Sequence, residues 1–313
     1  MRAVEYDRYG SPEVLQIREV PRPVAGPGQL LVRVRAAALN PKDVLVRSGK
    51  FSLLSGHRFP KRVGFDWAGE VAEVGPGVTD VAAGARWFGM LDGWRGGACA
   101  EYLAARADES APMPASFEFE RAAAVPLAAS TALQALRDVA RLEPRMRVLV
   151  NGGSGGVGTF AIQIARRLGA HVTATASGAG LELCRGLGAD AVVDHRAADA
   201  LASPEPFHVV FDVFGNWRFG DARRALAPGG TYVSTVPRRE VLLAALLTRF
   251  ASRRARLLAV RPRARDLALL AAWADAGHLA PVVREVFPLD RITEAEAAAG
   301  TKHTLGKIVV RVG

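Results

Sequence analysis

The sequence predicts an α/β chain in two domains: a doubly wound parallel sheet with helices on both faces, and a mostly antiparallel, barrel-like β domain. Three observations predict it. A glycine loop stands between a short apolar strand and an amphipathic helix, within residues 147–169. From residue 122 onward, helix-like and strand-like stretches alternate, the βαβα rhythm of a parallel sheet. Residues 1 to about 121 are instead rich in Gly, Pro and Val and carry strand-like runs.

In the first domain, 30–35 and 69–75 alternate apolar and polar residues, as half-buried strands do. Pro21, Pro23, Pro27, Pro76 and Gly77 punctuate them. In the second domain the apolar pattern predicts a helix at 130–140, a strand at 148–150, a helix at 159–169 and a strand at 171–176. A helix at 181–187 is stopped by Gly188, and strands follow at 191–194 and 209–213. A helix at 219–226 ends in Pro228-Gly229-Gly230 before a strand at 231–236. Two helical stretches come next, 240–256 and 264–276. The chain closes with a strand at 282–287, a short helix near 292–299 and a strand at 307–312. A strand after the helical stretches predicts that the tail returns to complete the first domain. The expected division is 1–121 with 266–313, and 122–265.

Gly153-x-Gly155-x-x-Gly158 has the dinucleotide spacing of a Rossmann domain. Gly153 is expected to allow the tight turn. Gly155 lets the backbone of Ser154, Gly156 and Val157 approach a pyrophosphate, and Gly158 lets the helix lie close to its strand. The positive end of the helix dipole then faces the phosphates. The next strand decides the nucleotide. A site preferring NAD ends that strand with Asp or Glu, which binds the ribose 2′-hydroxyl. Here it runs through Thr175-Ala176 into Ser177-Gly178 with no carboxylate. Ser177 can donate to a 2′-phosphate, and Arg185 and Arg196 are the nearest downstream cations. This favours NADP(H); Ser177-Gly178 also reads as a plain turn.

The 313 residues, half of them hydrophobic, suffice for two domains and a substantial core. No apolar run reaches the ~18 residues of a membrane helix, and the start reads as a strand rather than a signal peptide. A cytoplasmic protein without a membrane partner is expected. Cys99 and Cys184 are too few for a disulfide scaffold or a Cys-rich zinc site. The net charge of +10 comes with 36 Arg and only 5 Lys, a composition bias more than a signal. One stretch, 238–265, does concentrate arginine. A solvated face, a dock for an acidic or phosphate-bearing ligand, and a nucleic-acid surface all fit it.

Several motifs, in order along the whole chain, carry a family resemblance. They are 9–15 (Tyr-Gly-Ser-Pro-Glu-Val-Leu), 38–43 (Ala-Leu-Asn-Pro-Lys-Asp) with Arg47-Ser48-Gly49, and 64–75 beginning Gly-Phe-Asp-Trp-Ala-Gly. Ala129-Ser130-Thr131, the glycine loop, Leu187-Gly188-Ala189-Asp190 and Gly306-Lys307 complete the set. The chain resembles the medium-chain dehydrogenase/reductase superfamily, specifically its zinc-independent quinone oxidoreductase, zeta-crystallin-like branch. That resemblance implies a GroES-like barrel domain beside the Rossmann domain, an NADP(H) cofactor and a homodimer acting on a small-molecule substrate.

Zinc-dependent relatives place Cys near the Asn40 position and Gly-His-Glu where this chain has Gly64-Phe65-Asp66. Asn40 and Phe65 cannot supply that ligand pair. Without a metal to polarise a carbonyl, the resemblance implies hydride transfer from NADPH to a quinone, enone or 2-alkenal. The resulting anion needs hydrogen-bond donors and a proton. The implied catalytic residues are Asn40, as a donor to a substrate oxygen, Asp43 and Arg47. Asp43 also reads as a helix cap and Arg47 as an ion-pair partner. Thr131, Phe214 and Lys307 join the loop residues, Ser177 and Arg196 as cofactor contacts. Phe51 and Trp94 are apolar pocket candidates, and Asp66 reads as structural. Relatives often carry Tyr two residues after the Asp; this chain has Leu45, which has no proton to give. Two further readings stand beside this one. The first is an enoyl-thioester reductase that holds coenzyme A or a carrier phosphate with the arginines. The second is a non-catalytic NADPH- or nucleic-acid-binding protein, with nucleic acid the least favoured partner.

Overall fold

The computed structural model describes residues 1–301 and 305–313. It divides into two units, Met1–Ser130 with Arg261–Gly313, and Thr131–Val260. The division therefore falls nine residues later than the sequence texture suggested at the first boundary, and five earlier at the second. The reason is packing. The helix Phe119–Ala123 lies on strands of the first unit, and the backbone N–H of Leu127 donates to buried Asp66 at 2.7 Å.

The first unit carries strands β1 (Arg2–Tyr6), β2 (Gln16–Glu19), β3 (Gln29–Leu39), β4 (Lys61–Arg62), β5 (Asp66–Val74), β6 (Arg86–Met90), β7 (Tyr102–Arg106) and β8 (Ser110–Pro112). The second carries β9 (Arg147–Asn151), β10 (His171–Ala176), β11 (Ala191–Asp194), β12 (Phe207–Asp212), β13 (Leu226–Ser234) and β14 (Arg254–Leu257). The tail supplies β15 (Val283–Pro288) and β16 (Lys307–Arg311) to the first unit.

In the first unit a seven-stranded sheet runs β15-β16-β3-β5-β6-β8, with β7 pairing β3, beside a small sheet β2-β1-β4. All its pairings are antiparallel except β15 with β16. The tail returns as expected: Ile308 and Val310 share one apolar cluster with Val32, Val34 and Trp67. Burial of a continuous apolar face, not strand propensity alone, fixes this register.

The second unit is one parallel sheet in the order β11-β10-β9-β12-β13-β14. That is the doubly wound order, with its switch point between β9 and β12. The predicted helix at 130–140 begins earlier, at Pro126, and over Gln134–Val139 loosens to i→i+5 bonding, as in the 2.9 Å bond from Ala140 N–H to Ala135 O. One expectation fails outright. The stretch 240–256 is not all helix: the helix is Arg239–Leu247, and Arg254–Leu257 is the edge strand β14. Alternating Arg-Ala-Arg-Leu fits a pleat, and the exposed carbonyls and amides of β13 select the strand.

Candidate active site

In the first unit the site grows from the end of β3. Pro41 starts the helix Pro41–Arg47, where its missing N–H costs nothing. Asp43 reaches back to accept the Asn40 backbone N–H at 2.8 Å, and its other oxygen accepts the Gly64 N–H at 2.8 Å. Asp43 is thus a buried cap that ties the helix to the 64–66 turn. Burial, then the nearby Glu296, pushes its carboxyl up to about 7.

Asn40 is equally committed. Its Nδ2 donates to Asp66 Oδ2 at 3.0 Å and to Ala38 O at 3.3 Å, and its Oδ1 accepts from Lys307 Nζ. Both amide hydrogens are spent, so the expected donation from Asn40 to a substrate oxygen is replaced by a supporting role. Lys307 is also displaced from its expected place. Its ammonium is 4% exposed, pairs with Asp66 Oδ2 at 3.2 Å and donates to Leu39 O at 3.0 Å. It neutralises a buried carboxylate rather than presenting itself to a cofactor. Asp66 is held above its ordinary range by burial, with Lys307 opposing. Arg47 is the third correction. Its Nε meets Glu296 Oε2 at 3.0 Å, both side chains being almost wholly buried, and its Nη1 donates to Gly10 O. Nothing of its charge is offered outward. A lone charge read from sequence gives no warning of a carboxylate 249 positions away.

One residue escaped sequence reasoning. Lys42 sits at the second position of the same helix, its Nζ 3.9 Å from the Phe65 ring centroid and 5.3 Å from that of Trp94. Trp94 in turn lies 4.9 Å from Phe51. Burial lowers the Lys42 ammonium, against the raising pull of Asp43, Asp92 and Asp66. The available signal was a cation at a helix N-terminus, where the dipole disfavours it. Leu45 is half-buried on this helix.

In the second unit the loop between β9 and the helix Gly156–Arg167 divides its labour among four glycines. Gly152, not Gly153, takes the left-handed turn, at φ +82°. A Cβ on Gly153 would stand 2.8 Å from Ala174 Cβ and 3.0 Å from Cys184 Sγ, so that glycine serves close packing. On Gly158 it would overlap the Gly152 carbonyl oxygen, while on Gly155 it would meet only that oxygen at 3.5 Å. The open face at Gly155, the cap of the helix, is where a phosphate can approach the first-turn amides of Gly156 and Val157. Ser154 covers Gly180 at the start of the following helix.

At the switch point Asn151 Nδ2 donates to Asp212 Oδ1 at 2.7 Å and to Asn216 Oδ1 at 2.6 Å. Asp212 also accepts from Gly215 N, Trp217 N and the Tyr232 hydroxyl. This fully answered buried carboxylate, missed in the sequence, fastens the carboxyl ends of β9, β12 and β13. Half-exposed Phe214 follows β12 beside Gly152. Thr131 is buried. Ser177 follows the end of β10 and Arg196 lies two residues past the end of β11; the strands' last residues, Ala176 and Asp194, are partners. Arg185 pairs with Glu182 on the surface instead.

A switch-point glycine cradle in the parallel unit, with antiparallel strands in the first unit, defines a two-domain, dinucleotide-binding oxidoreductase. Residues 26–115 match the alcohol dehydrogenase GroES-like domain and residues 187–310 the zinc-binding dehydrogenase family. A chloroplast envelope quinone oxidoreductase homolog of Arabidopsis thaliana is 30% identical over 99% of this chain and 98% of its own length. A trans-enoyl reductase of Aspergillus terreus is 34% identical over 92% of this chain and 87% of its own. The Escherichia coli quinone oxidoreductase complexed with NADPH superposes with a TM-score of 0.87 at 25% identity, covering 99% of this chain and all of that one. The chain belongs to the medium-chain dehydrogenase/reductase superfamily, in its zinc-independent quinone oxidoreductase branch.

Proposed function

We propose that the chain is an NADPH-dependent reductase that adds hydride, without zinc, to a quinone or an α,β-unsaturated carbonyl. The observation that carries this reading is the closed Asn40–Asp66–Lys307 network. Asn40 and Asp66 stand where the family resemblance implies a Cys and the Glu of Gly-His-Glu in zinc-dependent relatives, and Lys307 closes on both. The donor set does not fit zinc: Asn40 is saturated, Phe65 has no donor atom, and Asp66 already faces an ammonium. Among the described residues no group of three or more His, Cys, Asp or Glu side chains is gathered to hold a metal.

The glycine cradle does fit a dinucleotide, because a Cβ at Gly155 would fill open space beside helix-terminal amides. When bound, NADPH supplies the hydride and the two electrons. The Gly155–Gly158 backbone binds the pyrophosphate, Ser177 and Arg196 select the 2′-phosphate, and Thr131 and Phe214 border the remainder. In the other unit Asp43 caps the helix Pro41–Arg47 and ties its first turn to Gly64.

NADPH absorbance, followed against 9,10-phenanthrenequinone, 1,4-benzoquinone, a linear 2-alkenal and crotonyl-CoA with NADH as control, tests the reading. Turnover of quinone or alkenal with NADPH is expected, and its absence despite NADPH binding refutes it. The Aspergillus relative favours one alternative, enoyl-thioester reduction, which turnover of crotonyl-CoA alone would select. We place the enzyme in the cytoplasm as a homodimer, checked by fractionation and sedimentation. No described helix is long and apolar enough to cross a membrane.

A further inference from the structure

Among the described residues Lys42 makes no ion pair or hydrogen bond; its ammonium lies instead over the faces of Phe65 and Trp94. Half-buried cations are ordinarily answered by a carboxylate. Here the groups that face it from each neighbouring element are Asp43 on its own helix, Asp66 on β5 and Asp92 after β6, and none is in ion-pair reach. Asp43 and Asp66 are bound to other partners. Beside the ammonium, Phe51 and Trp94 present two rings tilted at 41°. Flat apolar walls with one unanswered cation make a seat complementary to a flat molecule that carries, or acquires, negative charge at its rim. We propose that Lys42, Phe51 and Trp94 form the acceptor seat, and that Lys42 donates the proton that Leu45 cannot.

The inference rests on the reductase reading and names a residue for it. A quinone that accepts hydride becomes a hydroquinone monoanion; the Nζ–H bond of Lys42 breaks, an O–H bond forms, and the neutral amine takes its proton back from water. With an enone the same proton completes the enol. Burial lowers the ammonium below its ordinary 10.5, which eases donation of the proton.

Binding separates this inference from the reading it rests on. The probe is 2-hydroxy-1,4-naphthoquinone, a planar anion at neutral pH, titrated into the full-length protein with 2-methyl-1,4-naphthoquinone as the neutral control. In Lys42→Met the anion is expected to bind about tenfold or more weakly, the loss of one charge-assisted contact, and the neutral quinone nearly as before. Lys42→Arg keeps anion binding but loses about a hundredfold in kcat, because a guanidinium holds its proton. NADPH affinity should be unchanged in both, which also shows that they fold. The alkaline limb of the kcat profile should vanish in Lys42→Met. Equal anion affinity in Lys42→Met and wild type overturns the seat, whether or not any acceptor turns over. Full kcat in Lys42→Arg overturns the proton donation. Anion binding that depends on Lys42, with no turnover of any acceptor, keeps the seat and sinks the reductase reading instead.

Discussion

Replacing Arg47 by methionine removes the cation facing Glu296 while leaving an aliphatic stem of similar length. The carboxylate is fully buried, its Oε2 lies 3.0 Å from Arg47 Nε, and its Oε1 already lacks a hydrogen-bond partner. At that distance, with an effective dielectric of about 20, the attraction is about 5 kcal/mol. The variant forfeits it and keeps the cost of a buried charge. A loss of about 3–5 kcal/mol is expected. Arg47→Met with Glu296→Leu should recover most of it, since a buried pair replaced by apolar groups is often near neutral. Urea unfolding read by tryptophan fluorescence is the assay; Trp67, Trp87, Trp94 and Trp273 all lie in the unit concerned. The deficit should also depend on pH with a defined sign. Burial holds the Glu296 carboxyl above its ordinary 4.5, and Arg47 opposes that. Without Arg47 the folded chain keeps its proton more strongly than the unfolded chain. The loss is then complete above the folded value and shrinks as pH falls toward 4.5. A deficit below about 1 kcal/mol, or one equal at neutral and mildly acid pH, refutes the reasoning.

Three further outcomes follow from the geometry. Gly158→Ala should cost about 1–3 kcal/mol, because its Cβ overlaps the Gly152 carbonyl oxygen, whereas Gly155→Ala, at the helix cap with room for its Cβ, should cost about 0.5–1 kcal/mol yet weaken NADPH binding; paired melting and fluorescence titrations check the contrast. Ser177→Asp should raise the NADPH Kd about tenfold or more by placing a carboxylate against the 2′-phosphate, and relatively favour NADH; an unchanged preference removes the cofactor assignment. Asp43, held near 7 by burial, keeps its proton in the folded chain after the unfolded chain has lost it at 3.8. Stability should therefore fall between those values by about 1.4 kcal/mol per pH unit, and equilibrium unfolding should show that slope flattened in Asp43→Asn.

The chain of local signals was legible along most of its length. The loop at 152–158, the βα alternation and the returning strand at 307–311 each follow from patterns within a few residues, so both units and the cradle could be read directly. The exceptions have a common cause. Arg254–Leu257 becomes a strand because β13 offers an open edge, a demand made by a neighbour rather than by its own propensity. The same holds for the turn glycine: Gly152 and Gly153 look alike in sequence, and only the approach of Ala174 and Cys184 assigns one to packing and the other to the turn.

At the site the contrast is sharper. The family resemblance, read against the residue types at Asn40 and Phe65, argued against zinc ligands and pointed to Asn40, Asp43, Arg47 and Lys307 as site residues. What each does was decided by partners distant in the chain: Lys307 for Asn40, Gly64 for Asp43, Glu296 for Arg47 and Asp66 for Lys307. Lys42 shows the converse: among the described residues it makes no ion pair, and the fold sets aromatic rings against it. Sequence by itself determined the elements and the nucleotide cradle, since backbone preference and apolar period act over a few residues. Only the tertiary structure decided which charges are answered and by which partners, because a buried charge takes its role from whatever the folded chain brings within hydrogen-bond reach.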